Sequence, residues 1–438
     1  MLADTSRTPR RLIVALLVVL VAALSLDSRS QDSHHAMRPL ANPPGPEPRL
    51  AVRIETPDAG ERAIARSLAE DVWTEHDEPG APLDLVVSLA DLAELQRRGV
   101  GHRILVDDID AAATEERARL AHRTRATAGP GWFSEYRDVT EIEGFIDRLA
   151  ADHTSFVRAH TLGASHEGRP IRALELSRGG AITIVLDGGH HAREWLSVMV
   201  PLCIADRIAA GEHDARIRRI LDSVTFVIAP LVNPDGYVHS WTTDRYWRKN
   251  RHGTGVDLNR NYSVGFGGAG SSGDPASPNY RGERPFSEPE TRAVQSLFED
   301  RIATHVDFHA YSQVIVYPWS HQRSDPPDRD ALAALADRMS SALVATHGVR
   351  YEVRPGSTLT TGAGGTAGDW SYGERGALSF LIELRPASAG DGGFVLPPDQ
   401  IAPTCDEATA AIFELADSLI THRARTGDDD DRDPKALE

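Results

Sequence analysis

The sequence predicts an α/β protein: a three-layer sandwich with helices on both faces of a central sheet, preceded by a small α+β domain. From Trp132 to about Arg423, long helical patterns alternate with apolar strand patterns, the signature of a sheet covered on both sides. Leu50–Ile109 instead holds short elements in the order β-α-β-β-α-β, the split βαβ arrangement. A length of 438 residues also exceeds what one hydrophobic core usually supports, so two domains with tails are expected.

Taken in order, residues 1–30 read as a signal peptide. "RTPRR" (Arg7–Arg11) precedes mostly apolar Leu12–Leu26, with Ala23-Leu24-Ser25 as a small-x-small cleavage site. That apolar run is short for a membrane span; an uncleaved anchor is the alternative, and it would be the chain's only membrane contact. Residues 31–48 read as a linker rich in Pro, Ser and His. Residues 49–110 form the small domain. Its strands are "LAVRI" (Leu50–Ile54), a weak one near Val72–Thr74, "LDLVVSL" (Leu83–Leu89) and "HRILVDDI" (His102–Ile109), and its helices span Asp58–Glu70 and Asp91–Arg98. Residues 111–130 form a charged helical connector whose Arg123 and Arg125 suit a trypsin-like protease if it is mobile.

Residues 131–423 carry the larger domain. Helices are expected over Val139–Asp152, Trp195–Ala210, Glu288–Asp300, Asp330–His347 and Thr404–His422. Strands are expected over Arg172–Ser177, Ala181–Leu186, Val224–Ile228, Ala303–Phe308, Gln313–Tyr317 and Ala377–Leu384. Ser263–Pro285 is a Gly/Ser/Pro/Asn loop, longer than a simple connection requires. Ser287-Glu288-Pro289-Glu290 has the S-x-x-E spacing of a capping box. Residues 424–438 contain Asp428–Asp433 and read as a solvated acidic tail.

The net charge of −17 argues against a nucleic-acid partner, which needs clustered Lys and Arg. Export would permit a disulfide, yet the chain has only Cys203 and Cys405. Pairing and two buried thiols are both compatible with the sequence.

The chemistry concentrates in "LDGGHHAREW" (Leu186–Trp195), where an apolar strand gives way to a helix. His191 and Glu194 form H-x-x-E, so imidazole and carboxylate can share one face and one ion. Catalytic zinc uses three protein ligands and keeps one position open. Alone, H-x-x-E is a weak signal. His309, at the end of the apolar strand in "THVDFHAY", supplies a third donor where strand ends gather in open sheets. Glu383, in "LSFLIELRP", is an acid in a strand otherwise apolar or hydroxylic, a position that demands a partner or a purpose. An ion pair with Arg385 is the structural alternative. Arg245, Arg248 and Arg260, with Asn259, form a basic and amide cluster suited to a substrate carboxylate.

These segments resemble the zinc metallocarboxypeptidases of the carboxypeptidase A/B type. The similar stretches are "SHEGRPI", "GHHAREW", "NPDGY", "RYWRKNR", "GVDLNRNY", "GSSGDP…YRG…PFSEPET", "DFHAYSQVIVYPW" and "GDWSYGERGALSFLIELRP". They follow the family's order over nearly all of Trp132–Arg423, and Leu50–Ile109 is similar in element order to the family's pro-domain. The resemblance implies a mixed central sheet, one Zn²⁺ per chain and hydrolysis of the C-terminal peptide bond of peptides or proteins. It makes His191, Glu194 and His309 the metal ligands and Glu383 the general base. Arg248 is implied to polarise the carbonyl, Asn259 and Arg260 to grip the terminal carboxylate with Arg245 nearby, and Arg193 and Tyr311 to line more distal subsites. Asp257 is implied to hold a ligand histidine by its other nitrogen. A secreted enzyme, extracellular or periplasmic, is expected; action on cell-wall peptides with the same site is the rival activity, and a non-catalytic binding module the rival of another class.

Two positions depart from the family pattern. A capping tyrosine is usual nine residues before the tryptophan of the "DW" pair, but Thr361 stands there. Before that pair stands Gly368 rather than an acid, and with Leu381 it points to an apolar or broad preference for the C-terminal residue.

Overall fold

The computed structural model describes residues 47–74, 81–122, 130–358 and 362–426. The signal segment, most of the linker, Arg123, Arg125, Thr361 and the acidic run Asp428–Asp433 lie outside the described residues. Among the described residues, no helix is long and apolar enough to cross a membrane.

The first elements are β1 (Arg49–Ile54), α1 (Ala59–Leu68), β2 (Asp71–Val72), β3 (Leu83–Ser88), α2 (Leu89–Arg97) and β4 (Arg103–Val106). The strands pair antiparallel in the order β2-β3-β1-β4, so the split βαβ order holds. Helix α1 starts at a capping box, Asp58 accepting from the Glu61 amide at 2.8 Å and Glu61 from the Asp58 amide at 3.0 Å. Strand alternation divides the sheet's two faces. Leu50, Val52 and Ile54 of β1 and Leu83, Leu85 and Val87 of β3 pack with Ala65, Leu92 and Leu95 beneath the two helices. Ala51 and Val86 point the other way and join, with Trp73, the core of the larger body.

The connector helix α3 (Ile109–Ala121) is less solvated than its charge suggests. Ile109, Ala113, Glu116 and Leu120 recur at helical spacing and are all buried, so one face docks on the body.

The larger body is built on eight strands: β5 (Val157–Ala164), β6 (Pro170–Leu176), β7 (Ile182–Gly188), β8 (Val224–Ala229), β9 (Thr304–Ala310), β10 (Val314–Tyr317), β11 (Glu352–Pro355) and β12 (Leu378–Leu384). Their order is β11-β10-β12-β9-β7-β8-β6-β5. The central four are parallel, while β10 and β6 meet them antiparallel, so the sheet is mixed. Helices α4 (Val139–Asp152), α5 (Trp195–Ala210), α6 (Ala215–Ser223), α7 (Pro234–Thr242), α8 (Pro289–Ser296), α9 (Arg329–His347), α10 (Ala367–Gly373) and α11 (Ile401–Thr426) surround it. Ile184 and Leu186 of β7 enter the core shared with α5, α9 and α11, whereas Val185 enters the one shared with α8 and α10. Both faces are therefore covered, as a parallel centre requires.

Two expectations change. The capping box at Ser287 does not form: Glu288 is the N-cap of α8 without a side-chain cap bond, the Ser287 hydroxyl donates to Glu288 at 2.6 Å, and Glu290 accepts from the His166 amide at 3.0 Å. The helix also ends at Ser296 rather than Asp300. The cysteines are both buried free thiols. Burial, with the neighbouring Cys203, pushes the Cys405 thiol well above its ordinary value.

The topology locates the site. From β7 the chain proceeds to β8 on one side and later to β9 on the other, so a crevice opens beyond the carboxyl ends of β7 and β9.

Candidate active site

Strand β7 ends at Gly188, and Gly189 turns the chain at φ +67°, where any Cβ would lie 2.8 Å from the Val198 side chain. His191 follows in the turn, and Glu194 takes the N-cap position of α5 without capping it. Its carboxylate faces the imidazoles instead: Oε1 lies 2.7 Å from His191 Nδ1 and Oε2 3.0 Å from His309 Nδ1. The Ala310 amide donates to Oε2 at 3.2 Å. The two Nδ1 atoms are themselves 3.1 Å apart, and all three side chains are buried. His191, Glu194 and His309 thus converge as expected, and their donor atoms form a group able to hold a metal ion.

The donor chemistry fits zinc. Two imidazole nitrogens and a carboxylate face one point out of water, the nitrogen-and-oxygen donor set that zinc takes. Burial alone would raise the Glu194 carboxyl, but His191 and His309 outweigh it and hold it below its usual range.

Each imidazole is held on its far side by a carboxylate. His191 Nε2 lies 3.2 Å from Asp257 Oδ1, as the resemblance implied. His309 Nε2 lies 2.9 Å from Asp307 Oδ2. Asp257 also accepts from Arg248 through Nε at 3.1 Å and a terminal nitrogen at 3.0 Å. Burial raises this carboxyl, yet Arg248, Arg260 and His191 together hold it well below the ordinary range. Asn259 lies against the same cluster. Its amide nitrogen is 3.1 Å from His309 Nε2, and its carbonyl oxygen accepts from the Ala367 amide at 2.8 Å. Arg260 donates to the carbonyls of Gly270 at 3.0 Å and Asn259 at 2.7 Å.

Glu383 on β12 is in register with His309 on β9, so the two side chains leave the same face of neighbouring parallel strands. Glu383 is buried. Arg385 forms its ion pair elsewhere, donating to Glu407 and, at 2.8 Å, to Gln400.

Arg245 requires a correction. Its Nε donates to Glu116 of α3 at 2.5 Å, Nη1 to the Arg193 carbonyl at 2.7 Å and Nη2 to the Phe394 carbonyl, and it stacks on Trp195 at 3.6 Å. A buried guanidinium bonded to Glu116 and two carbonyls faces the docked connector helix, and Arg245 is not among the residues lining the cavity at Arg248 and Arg260. Arg193 and Tyr311 lie where the N-terminal layer meets the body. Arg193 donates to Asp71 at 2.5 Å and sits 4.3 Å from the Phe394 ring centroid. Tyr311 packs edge-on against Phe394. Its hydroxyl is pushed well above its usual range by burial and, secondarily, by Asp84 of β3.

A cavity of about 220 Å³ is lined by Arg248 and Arg260 together with Arg66, Val72 and Thr74 of the N-terminal layer. Beside it Trp73 stacks on Tyr246 at 5.2 Å and donates to Asp71 at 3.0 Å.

The sequence reading missed Asp307, His190 and Asp71. Asp307 had a signal: it precedes His309 by two in an apolar strand and so shares its face. Asp71 had none, because its partner Arg193 is remote in the chain.

Fold and site together define a metal-dependent hydrolase with its centre at the carboxyl edge of an α/β sheet. A family model described as zinc carboxypeptidase matches residues 142–411. Carboxypeptidase A1 of Sus scrofa is 33% identical over 372 residues, covering 80% of this chain and 88% of that protein. Zinc carboxypeptidase A 1 of Anopheles gambiae is 32% identical over 356 residues, covering 78% and 80%. Among solved structures, thrombin activatable fibrinolysis inhibitor superposes with a TM-score of 0.78 at 27% identity, covering 85% of this chain and 99% of that one. The chain belongs to the zinc carboxypeptidase family. It is a zinc-dependent peptide hydrolase acting at C-terminal peptide bonds, with one zinc ion per chain.

Proposed function

We propose that this chain is an exported carboxypeptidase, kept latent by its N-terminal layer, that removes apolar or varied C-terminal residues from peptides and proteins. His191, Glu194 and His309 hold the zinc ion, Glu383 is the general base, and Arg248, Asn259 and Arg260 bind the substrate. The observation that carries the reading is the convergence of His191 Nδ1, His309 Nδ1 and the Glu194 carboxylate, with Glu383 one strand away on the same face.

Zinc, when bound, acidifies water and polarises a carbonyl. Glu383 takes the proton from the attacking water and returns it to the departing amine nitrogen. Arg248, steadied by Asp257, donates to the carbonyl oxygen as it gains charge. Arg260 and Asn259 reward a free terminal carboxylate through charge-assisted hydrogen bonds, which makes the enzyme an exopeptidase. Apolar or broad preference follows from Gly368, whose nearest neighbour for a Cβ is the Ser379 hydroxyl at 3.2 Å, and from Leu381. Export rests on the charged and apolar N-terminal segments. Latency rests on residues of the N-terminal layer, Arg66, Val72 and Thr74, lining the same cavity as Arg248 and Arg260.

The test is a panel of short peptides offered to the protein before and after trypsin treatment, with zinc measured in the same samples. The reading expects strong activation by trypsin, abolition by a chelator, restoration by added zinc, and faster release of Phe or Leu than of Lys or Arg. Faster release of basic residues overturns the preference. Full activity after metal removal overturns the site.

A further inference from the structure

We infer that Asp307, braced by His190 and Tyr262, is the residue that positions His309 for zinc, by fixing the Nε2 proton and leaving Nδ1 free to bind. The inference rests on His309 being a ligand.

A neutral imidazole carries one proton, and its second hydrogen bond decides which nitrogen holds it. His309 Nε2 lies 2.9 Å from Asp307 Oδ2, and an ionised carboxylate can only accept, so the proton sits on Nε2. The Nδ1 lone pair then faces Glu194 and His191 Nδ1 at 3.0 and 3.1 Å. Asn259 Nδ2, 3.1 Å from the same Nε2, can only donate and so favours the opposite tautomer; Asp307 is nearer, at 2.9 Å, and charged, and a charge-assisted bond outweighs a neutral one.

Asp307 is itself fixed. It lies two residues before His309 on the central strand β9, so both side chains leave the same face. Its other oxygen is 3.1 Å from His190 Nδ1, and His190 Nε2 meets the Tyr262 hydroxyl at 2.8 Å. Tyr262 is anchored in the opposite core, packed against Phe286 and Trp370. Asp307, His190 and Tyr262 are all fully buried. The chain Tyr262–His190–Asp307–His309 therefore braces the metal site from behind, as Asp257 braces His191 from the other side.

His190, Asp307 and His309 also bring donor atoms close enough for a metal of their own. That arrangement would require His309 to give both ring nitrogens to metals at once, with its last proton lost.

In the full-length protein, Asp307→Asn and Asp307→Ala are compared with wild type by chelator competition for zinc and by the visible spectrum after cobalt substitution, with circular dichroism as the check on folding. The expected result is zinc affinity lowered by about 10–100-fold in Asp307→Ala, with shifted cobalt bands. Asp307→Asn should fall between, because its amide oxygen still accepts the Nε2 proton. A folded Asp307→Ala protein with wild-type zinc affinity and cobalt spectrum overturns the inference. So does lowered stability of the metal-free protein with unchanged affinity, the outcome of a purely structural Asp307. A second zinc equivalent in wild type that is lost from Asp307→Asn overturns it as well. If neither variant folds, cadmium–nitrogen NMR of the wild-type protein decides: coupling to His309 Nδ1 with the proton on Nε2 supports the inference, and coupling to Nε2 overturns it. His309→Ala tests the underlying assignment separately. Zinc retained there sinks the ligand set, whereas zinc lost there with normal Asp307 variants sinks only the role given to Asp307.

Discussion

Glu383 occupies a strand position that ordinarily holds an apolar side chain, and its neighbours explain the exception. It stands in register with His309, while the nearby Arg385 is taken by Glu407. Replacing Glu383 by Gln keeps the shape and removes the proton acceptor. Turnover should fall on the order of 10²–10⁴-fold with zinc content unchanged, checked by single-turnover assay and metal analysis. Arg260→Ala should instead act on binding. A charge-assisted hydrogen bond is worth about 1.5–3 kcal/mol, so KM for a free-acid peptide should rise roughly tenfold to a hundredfold. The poorer cleavage of the matching C-terminal amide should change little, because it never used that contact. Equal losses on both peptides would contradict the role given to Arg260.

Helices α4 and α5 match their expected spans, and β7, β8, β9, β10 and β12 match to within two residues, because buried elements carry dense periodic patterns. Strands β5 and β11 were not legible. They are the two edges of the sheet, with a largely exposed "VRAHTLGA" and a charged "EVRP", since an edge strand has no second partner to shield it. Helix α3 was legible as a helix but not as a docked one, because its charges conceal the buried face. Glu116 on that face pairs with buried Arg245. Breaking a buried pair by removing one partner costs about 3–5 kcal/mol, so Glu116→Ala should lower the urea midpoint of the full-length protein. It should also speed trypsin cleavage in the connector. An unchanged midpoint would mean that the carbonyl partners of Arg245 suffice to hold it.

At the scale of the molecule, the N-terminal layer and the body meet around Arg193, Arg248 and Arg260. Asp71 holds Arg193, Trp73 packs on Tyr246 and Phe394, and Val72 and Thr74 line the cavity at Arg248 and Arg260. Small substrates should therefore be cleaved slowly by the intact chain. Asp71→Ala removes the ion pair at Arg193 and should raise the activity of uncleaved protein without altering that of the trypsin-treated form. Equal activity of intact and cleaved wild type would argue against latency altogether.

The sequence by itself determined the fold class, the order of elements in the N-terminal layer, most of the buried elements of the body, and the four residues His191, Glu194, His309 and Glu383 that the fold draws together. Those features are encoded locally: hydrophobic periodicity marks buried strands and helices, and short motifs place ligands at the ends of particular strands. Only the tertiary structure decided that Arg245 pairs with Glu116 of the connector helix, that Asp71 occupies Arg193, and that Asp307 stands behind His309 with His190 and Tyr262. The first two rest on contacts between residues more than a hundred positions apart, and the brace joins Tyr262, His190 and Asp307 across separate loops and strands. Hydrogen bonds and ion pairs depend on the meeting of specific atoms, and chain folding alone brings those atoms together.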